Sequence, residues 1–200
     1  MKSLFRHKIL ISICLVCIFS HCKNNPTENK EYVVPSNFMP EGNSIDGWVP
    51  NLETGNWLEI ESTVELEFFL GEQSIQAATV IEHNFIRAAK QVYDGRIAGA
   101  NETLEVRIFD FEFSNQSEGF YHNKAIIPSK YDFLDTQICE TGRISITGSD
   151  NIITIDFYYD KWYAWISING RWGAYEAKQI AIQFTAQIYE NMLRLYPVDY

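Results

Sequence analysis

The chain is 200 residues long, 46% hydrophobic and 14% aromatic, which supplies a core and excludes global disorder. Its formal charge of −10 excludes the electrostatic footprint of a nucleic-acid binder or of a basic membrane patch. Of four cysteines, Cys14, Cys17 and Cys22 lie in or just after the leader, so a paired disulfide framework is excluded too.

The first segment has the three-part logic of an export signal. Lys2, Arg6 and Lys8 form a basic start, and Ile9 to Phe19 follow without a charge. At about 1.5 Å per residue that run spans roughly half of a bilayer core, so it reads as a signal peptide rather than a permanent span. Phe19-Ser20-His21-Cys22 resembles a lipobox, whose cysteine receives diacylglycerol. Phe19 and Ser20 fit that pattern, and His21 departs from the small residue usual before the cysteine. An ordinary secretory peptide with an incidental Cys22 and a retained membrane helix are the alternatives. The expected organisation is a lipoprotein signal peptide over 1–21, lipidation at Cys22, and a flexible tether over 22–31 containing the polar run KNNPTENK. The membrane is then a partner through the lipid anchor, and the domain faces an extracytoplasmic space from the cell membrane or outer membrane. Loss of the leader removes three bases and no acid, leaving the mature chain at −13.

Residues 32–200 read as one acidic α+β domain. Tyr32 to Trp48, punctuated by Pro35, Pro40, Gly42 and Gly47, is an irregular lead-in that packs Phe38 and Trp48 onto the core. Trp57 to Ile60 is a short strand. Ser62 and Glu65 make a capping box, and Val64, Phe68, Gly71, Ile75 and Ala78 predict a helix over 63–77. Gly71 is its weak point, costing about 1 kcal/mol relative to Ala. Phe85 to Tyr93 is a strand closed by Asp94-Gly95. Thr103 to Phe113 is the strongest strand, with Leu104, Val106 and Ile108 on one face and Phe109, Phe111 and Phe113 on the other. Such a strand is covered on both sides or changes face at a bulge. Ser114 caps a short helix over 115–124. Gly142 to Gly148, Ile152 to Tyr158 and Trp162 to Ile168 form an antiparallel meander. Ala177, Ala181, Phe184, Ile188, Met192 and Leu195 stripe a long terminal helix ended by Pro197. Without βαβ alternation, the expected fold is a single domain with an antiparallel sheet packed by helices.

Chemical signals are sparse. Outside the leader only His83 and His122 remain, with no metal-ligand spacing, so no metal or cofactor is expected. G-x-S-x-G and both glycine-rich phosphate loops are absent. Asp110 and Glu112 lie two apart on one strand face, as acid–base carboxylates can, or form a solvated strand end. Cys139 reads as a small buried apolar residue, or with His122 as a thiol and its base. Tyr158, Tyr159, Trp162, Tyr163, Trp165 and Trp172 crowd the meander, as core or as a stacking platform. Tyr159, Trp162, Trp165 and Trp172 are the candidate ligand-binding residues. The expected function is a non-enzymatic, lipid-anchored binding or interaction domain of the bacterial envelope, with a protein or small-molecule partner. The alternatives are a hydrolase-like envelope enzyme using Asp110, Glu112, His122 or Cys139, and a structural envelope protein.

Three segments carry a family resemblance. Asp46-Gly47-Trp48 is similar to an early glycine–tryptophan, and LEVRIFDF at Leu104 to Phe111 to a strand of the type V-E-I-Y-D-M. Ser117-Glu118-Gly119-Phe120-Tyr121 is similar to a helix opening A-F-G-x-Y. In these the chain resembles the domain of unknown function 6599 family, extracytoplasmic bacterial proteins, over about residues 40 to 190. The family's N-G-G-A-E run is not found; Leu70-Gly71-Glu72-Gln73 stands near its place. The resemblance implies a late meander and terminal helix in the same order, and no activity or functional residue.

Overall fold

The structure, a computed structural model, describes residues 32–70 and 75–198. The leader, Cys22 and the tether lie outside the described residues, as does Gly71 in the predicted first helix. A 3-10 turn at Pro35–Phe38 precedes β1 (Val49–Pro50), β2 (Trp57–Ile60), α1 (Thr63–Leu70), α2 (Ile75–Glu82), β3 (Phe85–Ile97) and β4 (Ala100–Phe111). Then come α3 (Ser114–Tyr121), β5 (Asp132–Phe133), β6 (Arg143–Thr147), β7 (Ile152–Tyr159), β8 (Trp162–Asn169) and α4 (Ala174–Leu195). The strands form one eight-stranded antiparallel sheet in the order β1-β3-β4-β8-β7-β6-β5, with β2 also on the outer edge of β3. The meander is as the alternating runs predict, and it joins the rest through the pairing of β8 with β4.

Alternation along the strands builds two cores, one on each face. Leu104, Val106 and Ile108 of β4 lie with Ile153, Ile155 and Phe157 of β7 and Ala164, Ile166 and Ile168 of β8. Ala177, Ala181, Phe184, Ile188 and Met192 of α4 cover this first face together with Phe38 and Trp48 of the lead-in. On the second face Ala88, Phe109, Phe111 and Tyr163 meet Leu66, Val80 and Phe120 from α1, α2 and α3. The two-sided apolar pattern of β4 therefore reflects cover on both faces and needs no change of face within the strand.

Ser62 and Glu65 cap α1 as expected: the Glu65 N–H donates to Ser62 Oγ (3.2 Å) and the Ser62 N–H to Glu65 Oε2 (3.2 Å). The described residues within the predicted 63–77 are helical, at Thr63–Leu70 (α1) and from Ile75, and α2 runs on to Glu82, beyond the expected end. The short helix stops at Tyr121, and Gln116 Oε1 rather than Ser114 caps it, accepting from the Phe113 N–H (3.0 Å). Asp94-Gly95 is not a turn. β3 continues to Ile97 and turns at Ala98 and Gly99, whose φ angles are +50° and +83°. Gly95 serves a close approach instead: a Cβ there would lie 2.3 Å from the Trp48 ring. Among the described residues no helix is long and apolar enough to cross a membrane.

Candidate functional site

Register across the second face aligns five side chains in one row. Lys90 of β3 pairs with Arg107 of β4, Arg107 with Trp165 of β8, Trp165 with Asp156 of β7, and Asp156 with Arg143 of β6. Residues directly opposite on antiparallel strands lie within side-chain contact, so five strands present one continuous polar and aromatic strip.

The two ends of the row differ in burial. At the β6 end Arg143 and Asp156 are 1% and 3% exposed, and a bare charge would be costly there. The geometry compensates. Arg143 Nε donates to Asp156 Oδ1 (2.9 Å), Nη2 to Oδ2 (2.5 Å), and Nη1 to the Tyr121 carbonyl (2.9 Å). The Tyr163 hydroxyl donates to Asp156 Oδ2 (3.0 Å), and the Tyr121 ring stacks on the guanidinium at 4.0 Å. Burial pushes the Asp156 carboxyl above its ordinary range, opposed by the hydrogen bonds and charge of Arg143 and by Tyr163. Desolvation and the neighbouring carboxylate push the Tyr163 phenol well above its ordinary value, so it stays a neutral donor. The Tyr121 hydroxyl is buried and has no hydrogen-bond partner among the described residues.

At the β3 and β4 end the row opens. The Arg107 guanidinium sits between the rings of Phe69 and Trp165, 4.6 Å from each centroid. Lys90 Nζ lies 5.5 Å from Phe69 and 3.7 Å from Glu105 Oε2, while Arg107 Nε donates to Glu105 Oε1. The Lys90, Arg107 and Glu105 side chains keep 16%, 18% and 25% of their surface exposed. Trp165 and, in the next row, Ser167 and Thr154 are also half-buried. Arginine and tryptophan held rigidly on strands in this way are the side chains on which binding energy concentrates.

The four aromatic candidates do not share a surface. Trp165 belongs to the row. Trp162 is fully buried on the first face, edge-on to Phe38 (4.8 Å) and Tyr196 (5.6 Å), its indole N–H without a partner among the described residues. Tyr159, 7% exposed, is on that same face and donates through its hydroxyl to the Tyr196 carbonyl (3.1 Å). Trp172 lies beyond β8, half exposed, with Arg171 over its ring.

The chemical candidates also separate. Asp110 is not a solvated strand end: it is fully buried on the first face between Arg87 (2.8 Å) and Lys161 (2.8 Å). Arg87 continues to the Val33 carbonyl (3.0 Å), so this cluster ties the lead-in to β3, β4 and the β7–β8 turn. Glu112 is exposed past the end of β4, and His122 is exposed at the end of α3. Cys139 is buried in the first core, and desolvation pushes its thiol up to about 12, which leaves it protonated and inert. Among the described residues no three His, Cys, Asp or Glu side chains gather as a metal ion would require.

Arg107, Lys90 and the Arg143–Asp156 pair escape sequence reasoning, because their partnership depends on register. The alternation of LEVRIF is the one local signal: it places Glu105 and Arg107 opposite Val106 and Ile108. Set against family models, curated proteins and solved structures, the chain matches none.

Proposed function

We infer that this chain is a lipid-anchored binding domain of the bacterial envelope, without catalysis of its own. The observation that carries the binding role is the row from Lys90 to Arg143. Its buried end fixes the strands, and its open end presents a stacked guanidinium and a tryptophan to solvent. The leader ending in Cys22 supports the address, and the −13 charge of the mature chain leaves attachment to a lipid rather than to a basic patch. The hydrolase alternative is disfavoured by the separation of Asp110, Glu112, His122 and Cys139 and by the raised Cys139 thiol. The family resemblance implies no activity and adds none.

Two measurements test the two halves of this reading. Alkyne-palmitate labelling in a bacterial host should mark the wild-type chain and not Cys22→Ala. Intact Met1 and an unacylated Cys22 by mass spectrometry would refute the anchor. A photo-crosslinking residue at Ser167 should trap a discrete adduct in intact cells that Trp165→Ala abolishes, whereas one at the exposed Gln183 of α4 should not. Equal crosslinking from both positions refutes the binding role and returns the structural-protein alternative.

A further inference from the structure

A second pocket lies on the first face, independent of the row. Glu140, Tyr159, Tyr189, Leu193, Pro197 and Val198 line a space of about 170 Å³ where α4 ends. Tyr159 closes β7 and Tyr189 stands on α4, and their rings meet at 86° with centroids 5.7 Å apart. Phe157 backs Tyr189 edge-on at 5.9 Å. Both hydroxyls meet backbone: Tyr159 donates to the Tyr196 carbonyl (3.1 Å), and the Tyr189 oxygen accepts from the Glu140 N–H. The pocket is left with phenol rings, three aliphatic walls and one charged lining side chain among the described residues, the Glu140 carboxylate.

Those features select a ligand chemistry. Ring faces carry negative charge density and attract cations, and perpendicular aromatic walls suit quaternary ammonium groups. An anion is opposed by Glu140 and by the −10 field of the chain. A primary ammonium binds best where several free oxygens converge on its three N–H donors, and the lining side chains offer one carboxylate and two phenol oxygens already engaged with backbone. A methylated ammonium has no donors to satisfy, and its methyls suit Leu193, Pro197 and Val198. Burial and the Glu140 charge push the Tyr189 phenol up to about 12, so the ring stays neutral at physiological pH. We propose that Glu140, Tyr159 and Tyr189 form a site for a methylated ammonium head, carried by a lipid headgroup or by a small solute.

The test is titration of the full chain in maltoside detergent with choline chloride, read by calorimetry. Saturable binding is expected, with the uncharged isostere 3,3-dimethylbutanol at least about tenfold weaker. Tyr189→Leu and Glu140→Gln should each weaken choline about tenfold, while Tyr189→Phe, which keeps the ring, should not. Tighter binding of monomeric dihexanoylphosphatidylcholine than of choline assigns a headgroup, and the reverse assigns a solute; both uphold the site. No saturable choline binding overturns the proposal. So does an isostere that binds as well as choline, a comparison that needs no variant to fold.

Discussion

Removing the Asp156 carboxylate tests whether the buried end of the row is organised as the geometry states. Asp156→Ala strips Arg143 of its Nε and Nη2 partners and leaves its guanidinium, on a residue 1% exposed, with only the Tyr121 carbonyl. An uncompensated buried charge costs about 3–5 kcal/mol. For a domain of this size each kcal/mol lowers Tm by about 2–4 °C, so the expected fall is about 10 °C. Replacing both partners, as in Arg143→Met with Asp156→Leu, removes the desolvation along with the attraction. The pair should therefore be less damaging than Asp156→Ala alone. Tyr163→Phe removes one hydrogen bond to a charged group, about 1.5–3 kcal/mol. Urea unfolding of a soluble form beginning at Tyr32, followed by tryptophan emission, measures all of these. Two results would refute the reasoning: an Asp156→Ala cost under about 1 kcal/mol, or a double-variant cost equal to the sum of the singles.

Three further outcomes follow from single contacts. Gly95→Ala should cost about 1–3 kcal/mol and red-shift the emission of Trp48, whose ring occupies the space the new methyl needs, and Trp48→Leu in the same chain should recover part of that loss. Glu65 accepts from the Glu61 and Ser62 backbone and from the Ser62 hydroxyl, which holds its carboxyl below the ordinary 4.5. A carboxylate depressed in the folded state stabilises above its unfolded value and loses that contribution as pH falls through it, so Glu65→Gln should flatten the acid limb of the unfolding profile. Cys139, the sole thiol of the form beginning at Tyr32, should resist thiol reagents at pH 8 when folded and react at the rate of unfolding. Rapid labelling under native conditions would contradict its burial.

Much of the fold is legible in the residues because its strands alternate cleanly and its turns are local. GRISITG and the runs around Asp150-Asn151 and Asp160-Lys161 specify the meander, since Gly148, Asn151 and Asp160 do adopt the positive φ their positions suggest. The apolar stripe of α4 is likewise visible at its spacing. The failure at Asp94-Gly95 is physical. The dipeptide signals a turn only while nothing is known to press on the strand, and Trp48, 47 residues earlier in the chain, presses there. Long-range contact converts a turn residue into a packing residue, which local pattern cannot reveal. The two-residue strands β1 and β5 are hidden for a related reason: they are too short to show a period.

The candidate site is less legible, and the two faces of the sheet explain why. Six aromatic residues between Tyr158 and Trp172 look like one cluster along the chain, but alternation sends neighbours to opposite faces. Tyr159 and Trp162 enter the first core and Trp165 the second face, so proximity in sequence becomes separation by the thickness of a sheet. The reverse holds for charge. Lys90, Arg107, Asp156 and Arg143 are scattered between positions 90 and 156, and only the register of five strands brings them into line. Asp110 and Asp156 show the consequence most clearly. Both are acidic residues next to Phe in strands, FDF and IDF, and both are buried in ion clusters, yet one locks the lead-in on the first face and the other fixes the row on the second. What decides between them is strand parity relative to α4, a quantity that exists only once the sheet has formed.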